Sequence, residues 1–227
     1  MSRVRLSRLG GAVLLAVLPG ALATTGCERT VDGTATASPA ADLPSSSAEL
    51  GALIVTRVPS GLPRLPDDGL DPRAGAKTVE DIAAYSDDPA HQREVLRGYG
   101  YRFGWERFWG AASGPPMTGV FVDQFATRAG AGAYAEDLAR NEAGHYRGML
   151  RENPPGLPGG CRMLTLSHPG TAAADPEAAA LKGPAAFAWC EHGVFSVSVT
   201  AVARTPDAAD KEVRAVLAQQ LDRLPPR

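Results

Sequence analysis

Residue types that commonly carry catalysis are present in this chain, but they do not occur at catalytic spacings. The histidines are far apart: His91, His145, His168 and His192. A helical zinc site needs two His four residues apart, and an esterase nucleophile needs a Ser within G-x-S-x-G. Neither pattern occurs, and Ser196 and Ser198 are predicted to be ordinary outward positions of a strand. The sequence therefore predicts no catalytic residue and no metal site.

A glycine-rich stretch, Gly130–Ala135, fits the pattern G-x-G-x-x-A and lies between a predicted strand and a predicted helix. A dinucleotide loop needs its first Gly directly at the end of a buried parallel strand, so that the backbone can approach a pyrophosphate. Here residues 126–129 intervene, and Asp123 interrupts the strand. The pattern favours a first helical turn of small residues packed close to the sheet, and predicts no cofactor.

The first 26 residues have the pattern of a secretory signal peptide, with basic residues followed by the apolar run Leu9–Leu22. That run is shorter than the roughly 20 residues that span a bilayer. Two cleavage sites are open, one after Ala23 and one before Cys27. The second resembles a bacterial lipobox, in which the Cys becomes lipid-modified. Residues 27–47 hold few large apolar side chains and are predicted to be a flexible tether.

The cysteines are Cys27, Cys161 and Cys190. If Cys27 carries lipid, two cysteines remain in an exported protein, and the simplest prediction for them is a disulfide. A metal site is the alternative, but two cysteines without His at ligand spacing provide a poor one. The sequence predicts the Cys161–Cys190 disulfide.

Without residues 1–26 the chain has 20 Lys and Arg against 25 Asp and Glu, a mildly acidic balance. Binding to nucleic acid would need clustered basic residues, which this chain lacks. About 200 residues less a tether suit one domain with a sizeable core. We therefore expect a single domain over residues 48–227 and no nucleic-acid partner.

Aromatic residues alternate with small or charged residues over 99–110, the period-two pattern of a half-buried antiparallel strand. The aromatics either fill one face of a core or line a ligand groove. The side chains assigned to a candidate ligand-facing surface are Tyr101, Phe103, Trp105 and Trp189. The charges predicted at the surface or rim are Arg102, Glu106 and Arg107.

The elements that must position these residues alternate between strands and helices. Strands are predicted over 52–56, 99–110, 119–125, 161–166, 185–190 and 194–202. Short helices are predicted after Thr78 and Asp88, and long helices over 129–151 and from Thr205 to the C-terminus. Residues 168–183 are predicted to be a loop. This plan indicates an α+β fold, an antiparallel sheet built mostly from hairpins with two long helices packed on it.

Three features resemble small actinobacterial envelope lipoproteins of unknown function: the stretch YGYRFGWERFW, the stretch VFVDQFATRAGAGAYAEDL and the paired cysteines. The segment Val31–Ala35 after Cys27 is also similar to theirs. Some members of that family have a fold similar to the PsbP-type α/β sandwich. The resemblance covers nearly the whole chain and implies a fold and a location, but it brings no catalytic residue.

Together these observations predict a non-catalytic protein outside the cytoplasm, anchored by lipid on Cys27 to the outer face of the plasma membrane. Its folded domain would bind an envelope lipid, glycan or protein. The alternative is an extracytoplasmic hydrolase whose site the sequence does not reveal.

Overall fold

A seven-stranded antiparallel sheet with helices on both faces organises the folded part of the chain. The structure is a computed structural model and describes residues 42–111, 114–167 and 183–226. The α+β prediction, with an antiparallel sheet built from hairpins and two long helices packed on it, is confirmed. Residues 1–41 and 168–182 lie outside the described residues, so Cys27 and His168 receive no structural account.

The strands are β1 (Gly75–Lys77), β2 (Tyr101–Ala111), β3 (Gly114–Phe125), β4 (Arg151–Glu152), β5 (Arg162–Leu166), β6 (Ala185–His192) and β7 (Phe195–Val202). The α-helices are α1 (Ser47–Leu53), α2 (Val79–Ala83), α3 (Pro89–Tyr99), α4 (Arg128–His145) and α5 (Pro206–Leu221). The sheet order is β1-β2-β3-β7-β6-β5-β4. The two predicted hairpins, β2–β3 and β6–β7, meet at its centre, where β3 pairs with β7. Both edge strands are very short, which limits edge-to-edge pairing with other chains.

One face of the sheet is packed against α1 and α5 by a continuous apolar core. The helix that begins after Thr205 has its N-cap as predicted, because the Thr205 hydroxyl accepts a hydrogen bond from Ala208 N. Its buried face includes Val213, Val216 and Leu217, all fully inaccessible to solvent. This face seals one side of the sheet.

The opposite face is covered by α2, α3 and α4, and its apolar residues fall into two separate clusters. One cluster, near α3, contains Phe125 and Tyr134. The other, toward β5 and β6, contains Phe187 and Trp189. The predicted caps of α2 and α3 are confirmed, since Thr78 and Asp81 form a capping box and Asp88 accepts from His91 N. A gap between the clusters remains on this face.

The predicted strand over 52–56 is wrong, because Ser47–Leu53 form a helix. Ser46 caps that helix by accepting from Glu49 N, a local signal that outweighs the β-branched residues after it. Pro44, assigned to the tether, is buried, and its carbonyl accepts a hydrogen bond of 3.1 Å from Gln124 Nε2. The folded domain therefore includes residues before the predicted boundary at residue 48.

The helix predicted over 129–151 ends at His145. Arg147 has a positive φ of 50°, and a Cβ at Gly148 would collide with the Leu164 side chain. The chain turns out of the helix there, in close contact with β5. Residues 151–152 then form the edge strand β4 instead of a last helical turn.

The structure contains the predicted disulfide between Cys161 and Cys190. Both cysteines are fully buried, and the bridge joins the start of β5 to β6. The bond closes a loop with a sequence separation of 29 residues. A loop of this length contributes about 3–4 kcal/mol by restricting the unfolded chain.

Placing Arg107 and Glu106 at the surface or rim is wrong, because helices cover both faces of β2 and both side chains are buried. A bulge at Arg102 shifts the register between Tyr101 and Phe103, so these two aromatics face opposite sides of the sheet. Arg102 itself remains exposed.

The Arg107 guanidinium satisfies the carbonyl end of α1. It donates to Ile54 O at 3.1 Å, to Val55 O at 3.0 Å and to Gly51 O at 3.2 Å. Gln220 and Arg223 donate to the neighbouring carbonyl of Leu53. Without these donors the carbonyls at the end of α1 would be buried without partners.

We expect Arg107→Met to lower the free energy of unfolding by about 3–5 kcal/mol, since it keeps an apolar stem but leaves buried carbonyls without donors. Arg102→Met is the matched control in the same strand and should change stability by less than about 0.5 kcal/mol. Urea unfolding followed by circular dichroism measures both values. Equal stabilities for the two variants would contradict this role of Arg107.

Candidate functional site

A cavity of about 340 Å³ lies between the sheet and the helices α2, α3 and α4. This volume is within the range of about 300–1,000 Å³ found for small-molecule sites. Its aromatic lining consists of Tyr85, Phe121, Tyr134, Phe187 and Trp189. Its acidic lining consists of Glu106, Asp123 and Glu142. The remaining lining residues are Ile82, Ser86, Gln92, Leu138, Ser198 and Thr200.

Strand alternation explains why the floor of the cavity is open. On β7 the residues that face α4 include Ser198 and Thr200, small side chains between larger neighbours on the adjacent strands. Phe121 pairs with Ser198 on one side, and Trp189 pairs with Ser198 on the other. Because Ser198 is short, the neighbouring rings stand on either side of a depression that α4 spans without filling.

A buried ion pair forms one wall of the cavity. Lys77 Nζ lies 3.1 Å from Glu106 Oε2, with side-chain exposures of 4% and 6%. Lys77 Nζ also donates to Tyr85 Oη at 2.6 Å and to the Arg73 carbonyl. Tyr85 donates onward to Glu106 at 3.1 Å. Burial raises the pKa of Glu106, and the ammonium of Lys77 opposes that rise.

Asp123 lies two residues beyond Phe121 on the same face of β3 and is 6% exposed. Burial, followed by the charge of Glu106, raises the pKa of Asp123 to about 7, while a hydrogen bond with Tyr101 acts in the opposite direction. Gly104 is required beside it, since a Cβ there would collide with the Asp123 carboxyl group and the Tyr101 hydroxyl. The cavity therefore holds a carboxyl group that titrates near neutral pH.

Ser198 contributes a polar atom without a partner. Its side chain is 7% exposed, and its Oγ makes no hydrogen bond although it is buried at the cavity floor. Ser196 Oγ, which lies across from Asp123 on β7, is also buried without a partner. Buried hydroxyl groups normally find a partner, so the floor retains hydrogen-bonding capacity.

Of the aromatics assigned to a ligand-facing surface, Trp189 lines the cavity. The Tyr101 hydroxyl lies at its edge, next to Asp123. Phe103 and Trp105 pack on the opposite face against the core under α1 and α5. A Cβ at Gly51 of α1 would lie only 2.7 Å from the Trp105 ring, which shows how close that contact is.

Five residues that no sequence spacing brings together lie at this site: Lys77, Tyr85, Glu106, Asp123 and Ser198. The surface or rim position predicted for Glu106 and the outward position predicted for Ser198 are wrong, because both side chains are buried. One sequence signal does point to this site. If both faces of a strand are covered, an acid within it is buried and must be paired, hydrogen-bonded or protonated.

Two other features have structural explanations. The small residues at Gly130 and Gly132 allow close approach of the Tyr99 carbonyl and the Glu191 carboxylate to the first turns of α4. His192, at the end of β6, has its Nε2 2.8 Å from the Pro225 carbonyl.

Asp123 predicts a pH dependence of stability. An unfolded Asp has a pKa near 3.8 and the folded group one near 7, so the folded state binds the proton more tightly. Its contribution to stability therefore decreases as the pH rises from about 4 to 7. Above pH 7, Asp123→Asn should be more stable than the wild type by about 2–4 kcal/mol. Urea titrations of both proteins from pH 4 to pH 8 measure the difference, and a constant difference would contradict the assignment.

Within residues 42–111, 114–167 and 183–226, no helix is long and apolar enough to cross a membrane. The same part of the chain contains no group of three or more His, Cys, Asp or Glu arranged to hold a metal ion. The chain matches no protein-family model, no curated protein and no solved structure. The cavity and its chemistry are therefore the basis for assigning a function.

Proposed function

We propose that this protein is an exported lipoprotein, anchored through Cys27 to the outer face of the plasma membrane, whose folded domain binds a small ligand between α4 and the sheet. The observation that carries the binding function is the cavity, with the unpartnered Ser198 hydroxyl at its floor. Aromatic walls with a few buried polar groups are the usual composition of small-molecule sites.

The buried Cys161–Cys190 disulfide fits a protein outside the cytoplasm, where disulfides form and persist. The basic and apolar N-terminal stretch before Cys27 supports export by the secretory route. Membership of the actinobacterial envelope lipoproteins, with their PsbP-type sandwich, is part of this proposal. It is supported by the sequence features given above and by a sheet covered with helices on both faces.

A hydrolase is the second candidate, and one observation favours it. Glu106 and Asp123 both line the cavity, and a carboxyl group with a pKa near 7 suits general acid–base catalysis. Binding without catalysis is better supported, because Glu106 is already engaged by Lys77 and Tyr85 and Ser198 Oγ makes no hydrogen bond to a general base. Turnover of an ester or glycoside that Asp123→Asn abolishes would favour the hydrolase.

Filling the cavity should prevent ligand binding. A compound at 100 times its Kd stabilises the native state by about 2.7 kcal/mol, which for a domain of this size raises Tm by about 5–10 °C. In a thermal-shift screen of a small-molecule library, Ser198→Leu should lose the shifts that the wild type shows. Its leucine side chain would occupy the cavity floor.

Ser167→Leu is the matched control, since Ser167 is exposed and does not line the cavity. It should retain the wild-type shifts. Compounds that stabilise Ser198→Leu as strongly as the wild type would show that they bind elsewhere.

Lipid modification is tested with Cys27→Ala in the native host. The wild-type protein should fractionate with membranes and require detergent for release, because two or three acyl chains hold a protein firmly. The variant should be released or retained as an uncleaved precursor, and globomycin should block processing of the wild type. A variant that stays with the membranes and has its N-terminus at Thr24 by mass spectrometry would contradict lipidation.

A further inference from the structure

We infer that the ligand of this cavity is an organic cation, an amine or ammonium group on an apolar body, whose charge binds at Asp123. The inference rests on the proposed ligand-binding function and specifies the chemistry of that site. It follows from three properties of the lining: its charge, its aromatic rings and its unpartnered hydroxyl group.

The lining carries an excess of acid. Glu106 and Asp123 both line the cavity, and none of its described lining residues is Lys, Arg or His. The nearby cation, Lys77, is buried and directed at Glu106, Tyr85 and a backbone carbonyl. The ammonium of Lys77 forms its ion pair with Glu106, and its attraction for Asp123 is weaker than the repulsion between Asp123 and Glu106. An anionic ligand would be repelled here.

The aromatic rings of the lining suit a cation with an apolar body. Phe187 and Trp189 are stacked, with their rings 3° from parallel and 5.8 Å apart. Tyr134 lines the cavity from α4, and the Tyr85 ring already has the Lys77 ammonium 5.2 Å from its centroid. Rings attract ammonium groups through their negative faces, and they do so more strongly in desolvated sites.

Ser198 Oγ provides a free acceptor for an N–H donor. Asp123 and Ser198 flank Phe121, since Asp123 lies two residues along β3 and Ser198 lies directly across on β7. Cross-strand and diagonal neighbours on one sheet face are within reach of a single bound group. An ammonium group above Phe121 can therefore donate to both oxygens.

The charge of Asp123 makes binding depend on pH. The titratable groups that face Asp123 are Tyr101 and Glu106 from β2, Lys77 from β1, Tyr85 from the segment after α2, and Tyr134 from α4. The three tyrosines have a raised pKa and stay neutral near pH 7. Asp123 is the group whose charge changes there. A cation should bind more tightly at pH 8 than at pH 6.

Isothermal titration of the whole folded domain with 2-phenylethylammonium, 2-phenylethanol and phenylacetate tests the inference. The three probes share a phenyl group and differ in charge. At pH 8 we expect the ammonium probe to bind at least tenfold more tightly than the alcohol, with no binding of phenylacetate. Its affinity should fall at least threefold at pH 6. Asp123→Asn should abolish both the preference and the pH dependence, and Asp222→Asn, at an exposed position, should change neither.

Each other outcome is decisive. If the alcohol or phenylacetate binds as tightly as the ammonium probe, the cation inference is wrong and the binding function stands. If none of the three binds but library compounds stabilise the wild type and not Ser198→Leu, the cation inference is again wrong. If no compound distinguishes the wild type from Ser198→Leu, the proposed binding function itself fails.

Discussion

The arrangement of the sheet face under α2, α3 and α4 depends on the ion pair between Lys77 and Glu106. Removing two charges from water is costly, and the cost is recovered only where each charge also has hydrogen-bond partners. Lys77 meets this condition through Glu106, Tyr85 and the Arg73 carbonyl. The pair fixes the short edge strand β1 against β2. It also holds Tyr85 at the cavity, and it places a negative charge close enough to Asp123 to raise its pKa.

The two faces of the sheet differ in how completely their cores are packed. Under α1 and α5 the core is continuous, and the buried cation Arg107 is satisfied by backbone carbonyls at the end of a helix. Under α4 the core is divided into two clusters with a cavity between them. Stability is therefore concentrated on one face, which leaves the other free to carry short side chains and buried carboxyl groups. A gap of this kind would be costly if the protein had a single apolar core.

Local sequence signals predicted most of the elements, because capping residues and period-two alternation act within a few residues. Thr78, Asp88 and Thr205 each begin a helix as predicted. The strand predicted over 52–56 failed because Val55 and Thr56 have high β-propensity, while the cap at Ser46 lay in a stretch assigned to the tether.

Most of the candidate site could not be predicted from the sequence, because its residues are brought together by tertiary packing. Whether Glu106 and Asp123 are buried depends on helices covering both faces of the sheet, and strand alternation alone does not report this. The bulge at Arg102, which separates Tyr101 from Phe103, leaves no clear trace in the sequence. Lys77 and Glu106 are 29 positions apart and meet only because β1 pairs with β2. Trp189 lines the cavity, but the sequence pattern alone does not distinguish a core aromatic residue from a cavity-lining one.

The hydrogen bond from Gln124 to the Pro44 carbonyl shows where the chain enters the fold, on the face under α1, whereas the cavity lies under α4. With Cys27 held in the bilayer as proposed, the 15 residues from Cys27 to Asp42 allow the domain to move at most about 50 Å from the lipid surface. The domain would then sample a thin layer of solvent next to the membrane. Its encounters with a ligand would depend on the ligand's concentration in that layer and not on the concentration in bulk solution.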